Sequence, residues 1–245
     1  MYKYVVDVQG KEVLKKSQLT CSKIMKEIEV LLRQKYKIST QFFLVGSGGN
    51  NMVTQNESGE FDFDYNLKVF NGFQYKGNEL KEDIRKAANE IMSNYNVKYS
   101  LNDVSDSTSA LTTNKIRTIN NSGLYSMDIC IVTQDNDMLW HKLKHKKTGN
   151  IKNDEYFWNI IPDSEEYVNK SRIIKKKAGW WDKVREHYLK LKNDYLKLND
   201  NDHPSFICYI QAVNDVYNEM EQKKINKITL IFPRSRKYSW GLFLI

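Results

Sequence analysis

The heptapeptide FDFDYNL, residues 61 to 67, constrains this chain more than any other stretch. Its apolar residues mark a strand, and strand geometry sends successive side chains to opposite faces. Asp62 and Asp64 therefore share one face, while Phe61, Phe63 and Tyr65 take the other. Two neighbouring carboxylates on a strand repel each other. A divalent cation relieves that repulsion, because hard Mg²⁺ or Mn²⁺ prefers carboxylate oxygens and keeps positions open for phosphate oxygens and water. The plainer alternative is the solvated face of an edge strand, so the pair acquires meaning only from what surrounds it.

Two further segments supply that context. In YSMDICIV, Asp128 stands between Met127 and Ile129 in a strand that otherwise runs apolar. A lone acid buried in such a strand is costly. Coordination of metal beside Asp62 and Asp64 offsets that cost, as does a salt bridge to one of the lysines. Upstream, QFFLVGSGGNN reads as a strand over Phe42 to Val45 that ends in a tight turn, Gly46-Ser47-Gly48-Gly49. Glycines let backbone N–H groups approach a phosphate, and a serine hydroxyl can donate to it. The chain contains neither GxxxxGK[ST] nor GxGxxG, so the nucleotide-binding folds those motifs mark are not indicated.

The rest of the chain fits an α+β class: a mixed β-sheet core flanked by helices, with a C-terminal helical lobe. Strands are predicted over 2–7, 60–69, 97–101, 115–119 and 124–132. Helices are predicted over 22–36, capped by Thr20 or Ser22, and over 78–95. Residues 103–114 read as a mobile loop. After Pro162 the pattern changes to helices over 163–177, 180–198 and from His203-Pro204 onward, closed by strand-like KITLIFP and SWGLFLI. The expected boundary separates a catalytic core, 1–160, from a helical lobe, 161–245.

A strand ending in Gly-Ser, a strand carrying Asp-x-Asp and a later strand with a third Asp resembles, in that order, the nucleotidyltransferase superfamily that includes DNA polymerase β. LVGSGG, FDFDYNL and YSMDICIV carry the resemblance. It implies that Gly46 and Ser47 hold a triphosphate, that Asp62 and Asp64 bind metals, and that Asp128 completes the site and helps activate an acceptor hydroxyl. The implied reaction moves a nucleoside monophosphate from an NTP to a hydroxyl and releases pyrophosphate, with Mg²⁺ or Mn²⁺ as cofactor. The acceptor stays open among a small molecule, an RNA end, a protein side chain and a second nucleotide. The alternatives are a noncatalytic nucleic-acid-binding or toxin-antitoxin-like module on the same fold, and pyrophosphoryl transfer to a guanosine nucleotide.

Charge agrees with an anionic partner. Lys and Arg exceed Asp and Glu by 38 to 30, a formal charge of +8, and the basic residues gather late in the chain. Among them Lys175 and Lys176 are candidate phosphate contacts, and Trp180 beside them is a candidate for base stacking. His141 and His145 stand four apart in HKLKHKK, a metal-ligand spacing on a helix, but so basic a segment repels a cation. His187 and His203 lack acidic or thiol neighbours at motif spacing. The three cysteines, Cys21, Cys130 and Cys208, lie far apart and without CxxC spacing, which suggests neither a disulfide framework nor a zinc knuckle. No long apolar run suggests a membrane span, and a cytoplasmic protein is expected.

Overall fold

A computed structural model of the chain describes residues 1–57, 59–95, 104–149, 153–200 and 204–231, with 227–231 described by backbone alone. The strand predicted over 97–101 lies outside them. Two units are resolved, Met1–Asp163 and the chain from Ser164 onward.

The first unit opens with β1 (Lys3–Tyr4) and a single helical turn, α1 (Val5–Val8). The strand predicted over 2–7 is thus cut short: Lys3 and Tyr4 pair with Gln55 and Thr54, and the chain coils at Val5, whose N–H donates to Val53 O (3.0 Å). Helix α2 (Lys11–Leu31) starts well before the predicted Ser22, and Thr20 and Ser22 lie within it. Its buried stripe begins with Val13, Ser17 and Cys21. A serine in the second position and charges around it conceal the helical period. A π-helical turn, Leu32–Tyr36, extends the helix, and Lys37, in the left-handed conformation (φ 59°), ends it.

Next come β2 (Thr40–Leu44), the short helical turn α3 (Gly46–Gly49), β3 (Thr54–Gln55) and β4 (Glu60–Val69). Helix α4 (Gly77–Met92) follows. Within the predicted loop at 103–114, whose first residue lies outside the described residues, 105–112 form a hairpin: β5 (Ser105–Asp106) pairs antiparallel with β6 (Leu111–Thr112) around a turn in which Ser107 N–H donates to Ala110 O (2.9 Å). Then β7 (Ile116–Arg117), β8 (Leu124–Gln134), β9 (Trp140–Lys146) and β10 (Glu155–Ile160) complete the unit.

The main path of the sheet runs β10-β9-β8-β4-β2, with β6 and β7 also paired to β8. All these pairings are antiparallel except β4 with β8. Parallel neighbours need a long crossover, and α4 lies within the one joining β4 to β8. One face of β4 and β8, carrying Phe61, Phe63, Tyr65, Leu67, Tyr125, Met127, Ile129 and Ile131, shares a core with Ile24, Met25 and Ile28 of α2 and Leu80, Ile84 and Ala88 of α4. The other face of both strands stays partly open.

Among the described residues the second unit holds three helices: α5 (Glu165–Lys175), α6 (Trp180–Lys197) and α7 (Ser205–Ile231). Ile174, Val184, Tyr188, Ala212, Val213 and Met220 are buried in it. Ser171 Oγ and Tyr209 OH lie 2.8 Å apart, and Lys183 bridges to Glu219 (2.6 Å). Residues 227–231 continue α7 as helix, which corrects the strand expected over that part of KITLIFP; its last two residues and SWGLFLI lie outside the described residues. Among these no helix is long and apolar enough to cross a membrane.

Candidate functional site

Asp62 and Asp64 lie on the open face of β4 because their neighbours Phe61, Phe63 and Tyr65, at most 4% exposed, occupy the core face. The parallel register sets Asp64 directly opposite Asp128 on β8, and Asp62 opposite Ser126. Each of the three carboxylates can present an oxygen such that all three atoms fall within 4.8 Å of one another. Such a set of hard oxygen donors suits Mg²⁺ or Mn²⁺.

Asp128 itself differs from expectation. It is half-buried rather than enclosed, since the alternation that buries Met127 and Ile129 turns it to the open face. Its carboxylate Oδ1 accepts a hydrogen bond from Thr112 Oγ1 (2.5 Å), and among the described residues it pairs with no lysine. Thr112 is its cross-strand neighbour on β6, a residue that the sequence places in a loop.

Gly46, at the start of α3, closes the other side. Its φ of +59° is in the left-handed region, and a Cβ there would lie only 3.0 Å from Asp64 Cγ and nearer still to Oδ2. Glycine is required both by conformation and by the acid beside it. The backbone makes the same junction, with Val45 N–H donating to Asp64 O (2.9 Å). Ser47 is half-buried in the turn, and its carbonyl accepts from Met52 N–H (2.8 Å).

Cys130 follows Asp128 on the same face and pairs in register with Asn66. Burial pushes its thiol up, Lys142 draws it down, and Asp64 and Asp128 raise it further.

The remaining candidates belong to other elements of the chain. Lys175 and Lys176 belong to the second unit, where Lys175 Nζ sits 4.2 Å from the centre of the Trp181 ring and burial lowers its pKa. Trp180, the stacking candidate, already carries Lys183 and Lys223 over its ring, at 4.6 and 5.3 Å. All of HKLKHKK but Lys147 belongs to the strand β9, so His141 and His145 share a face by strand rather than helical spacing. Each is paired with carboxylates: His141 Nε2 with Asp135 Oδ2 (2.8 Å), His145 Nδ1 with Asp106 Oδ2 (3.0 Å) and His145 Nε2 with Asp154 Oδ2 (2.8 Å). His187 Nε2 lies 2.8 Å from Asp215 Oδ2, a partner that spacing in the sequence does not suggest. His203 lies outside the described residues.

No family model and no curated protein sequence matches the chain. Solved structures do match. CdnC of E. coli MS115-1 in its complex with HORMA-deltaN aligns with a TM-score of 0.50 at 16% identity, over 84% of this chain and 60% of that one. CdnC of the same strain with ATP aligns at 0.45 and 16% identity, over 75% and 54%. The Bradyrhizobium diazoefficiens CD-NTase CdnG with GTP aligns at 0.41 and 13% identity, over 64% and 44%. The chain thus spans about half the length of the structures it matches.

Proposed function

We propose that this chain, which has the DNA polymerase β-like nucleotidyltransferase fold, transfers a nucleoside monophosphate from an NTP to a hydroxyl acceptor. The observation that carries the proposal is the cluster of Asp62, Asp64 and Asp128 beside the Gly46-Ser47 turn. In the reaction the acceptor oxygen forms a bond to the α-phosphorus, the bond from that phosphorus to the bridging oxygen breaks, and pyrophosphate leaves. Asp62, Asp64 and Asp128 would hold the divalent cations, which when bound supply Lewis-acid stabilisation of the phosphoryl charge. Asp128 takes up the proton of the acceptor hydroxyl. Gly46 and Ser47 hold the phosphates, Gly46 by leaving the backbone bare and Ser47 by its hydroxyl.

The test is Asp128→Asn assayed with radiolabelled ATP and GTP in Mg²⁺ or Mn²⁺. The variant should fold, as judged by circular dichroism, and lose transfer by at least about 10²-fold, the scale on which removal of a group acting in the transition state is felt. Full turnover by the folded variant would overturn the assignment. Products formed from NTPs alone would identify a second nucleotide as acceptor. Product mass separates nucleotidyl from pyrophosphoryl transfer.

A further inference from the structure

Asp128 lies on a strand whose edge is divided among three partners. β7 pairs with it at Tyr125 and Leu124, β6 at Ile129 and Asp128, and β9 from Val132 onward. The piece opposite Asp128 is the β5–β6 hairpin, and two successive threonines fasten it there. Thr113 holds the strand: its N–H donates to Met127 O (2.9 Å), and its Oγ1 accepts from Met127 N–H (2.9 Å). Thr112 holds the acid, donating its hydroxyl to Asp128 Oδ1.

The hairpin is also tied down at its other strand. Asp106 meets buried Lys81 of α4 (2.6 Å) and buried His145 of β9 (3.0 Å), while Lys81 Nζ also donates to Ser107 O (2.7 Å). Thr112 is thereby fixed relative to the sheet and can fix what it touches. A carboxylate has about four lone-pair positions, so one accepted bond orients the group without using up its capacity as a ligand. Residues that hydrogen-bond a metal-ligating carboxylate set its direction and its affinity.

We infer that Thr112 is a positioning residue for Asp128, holding its carboxylate in the orientation in which the three acids bind a divalent cation. The inference rests on the transfer reading of the site, and concerns a residue that nothing in that reading requires.

The experiment measures Mn²⁺ binding to the full chain by electron paramagnetic resonance, alongside the Mg²⁺ concentration for half-maximal turnover with ATP. Thr112→Val keeps the shape and removes the hydroxyl. It should weaken Mn²⁺ binding about 10-fold, as loss of a ligand's hydrogen-bond partner does, and shift the Mg²⁺ requirement in the same sense with little change in melting temperature. Thr112→Ser, which restores the hydroxyl, should bind Mn²⁺ as the wild type does. Thr112→Ala provides a second test of the missing hydroxyl and must show the same loss. Wild-type Mn²⁺ affinity in either folded variant, or no rescue by serine, overturns the inference. Asp128→Asn separates the two levels: if it loses Mn²⁺ and Thr112→Val does not, only the role of Thr112 fails. If Asp128→Asn binds Mn²⁺ unchanged, the site reading beneath it fails.

Discussion

Gly46 joins two demands at one residue. Its backbone adopts a φ of +59°, and the space where a Cβ would go is filled by the Asp64 carboxylate. Gly46→Ala should therefore lose about 1–2 kcal/mol of stability from the left-handed conformation alone, read as a lowered melting temperature. Turnover should fall further than the folded fraction explains, because relief of the clash moves Asp64 away from Asp62 and Asp128. Equal losses in the two measurements would show that the contact has no bearing on the acids. Part of this was legible beforehand: the apolar neighbours of Asp62 and Asp64 reveal their shared face, and the glycines mark a turn. The contact between Gly46 and Asp64 was not, since it depends on β2 and β4 pairing antiparallel through Leu44 and Tyr65.

Among elements, β9 departs most from expectation, and its buried polar groups explain why. His141 and His145 stand at a helical spacing, yet both lie on this strand, where His145 is only 5% exposed and stacks on Tyr156 with ring centres 4.1 Å apart. Its carboxylate partners come from β5 and from Asp154, just before β10, separations that no local pattern encodes. Thr112 was invisible for the same reason. Strand β4 was fully legible because alternation is local, and the start of α2 was not because Ser17 interrupts its apolar stripe. Asp154 offers a test of how this cluster holds. Thr148 N–H and then His145 keep its carboxyl below the ordinary 3.8. A depressed folded-state pKa gives stability that is full above the unfolded value and is lost as pH falls through the folded one. In chemical denaturation the margin by which wild type exceeds Asp154→Asn should therefore shrink as pH falls below about 3.8, where the carboxylate takes up its proton. A margin that keeps growing below that pH would contradict the assignment.

For the molecule as a whole, the formal charge of +8 favours anionic ligands, and metal dependence separates the kinds of ligand. ATP with Mg²⁺ should raise the melting temperature, by the equivalent of about 2.7 kcal/mol at a hundred times the dissociation constant, and ATP without Mg²⁺ should raise it much less. Stabilisation by RNA alone, with no effect of metal, would favour a noncatalytic binding module. The helices of the C-terminal part followed from the change of periodicity after Pro162, whereas the helical course of 227–231 did not, because β-branched residues there favour a strand. The parallel register of Asp64 with Asp128 has a consequence for which genetic changes the chain can absorb. Deleting or inserting one residue within β4 or β8 would turn the acids inward and the aromatics outward. A two-residue change would preserve the burial pattern and still separate Asp64 from Asp128 by about two strand positions, roughly 7 Å. Point substitutions on the core face of these strands should thus be far better tolerated than changes of length, whereas the Ser107–Ala110 turn should accept added residues provided that both strands of its hairpin stay in register.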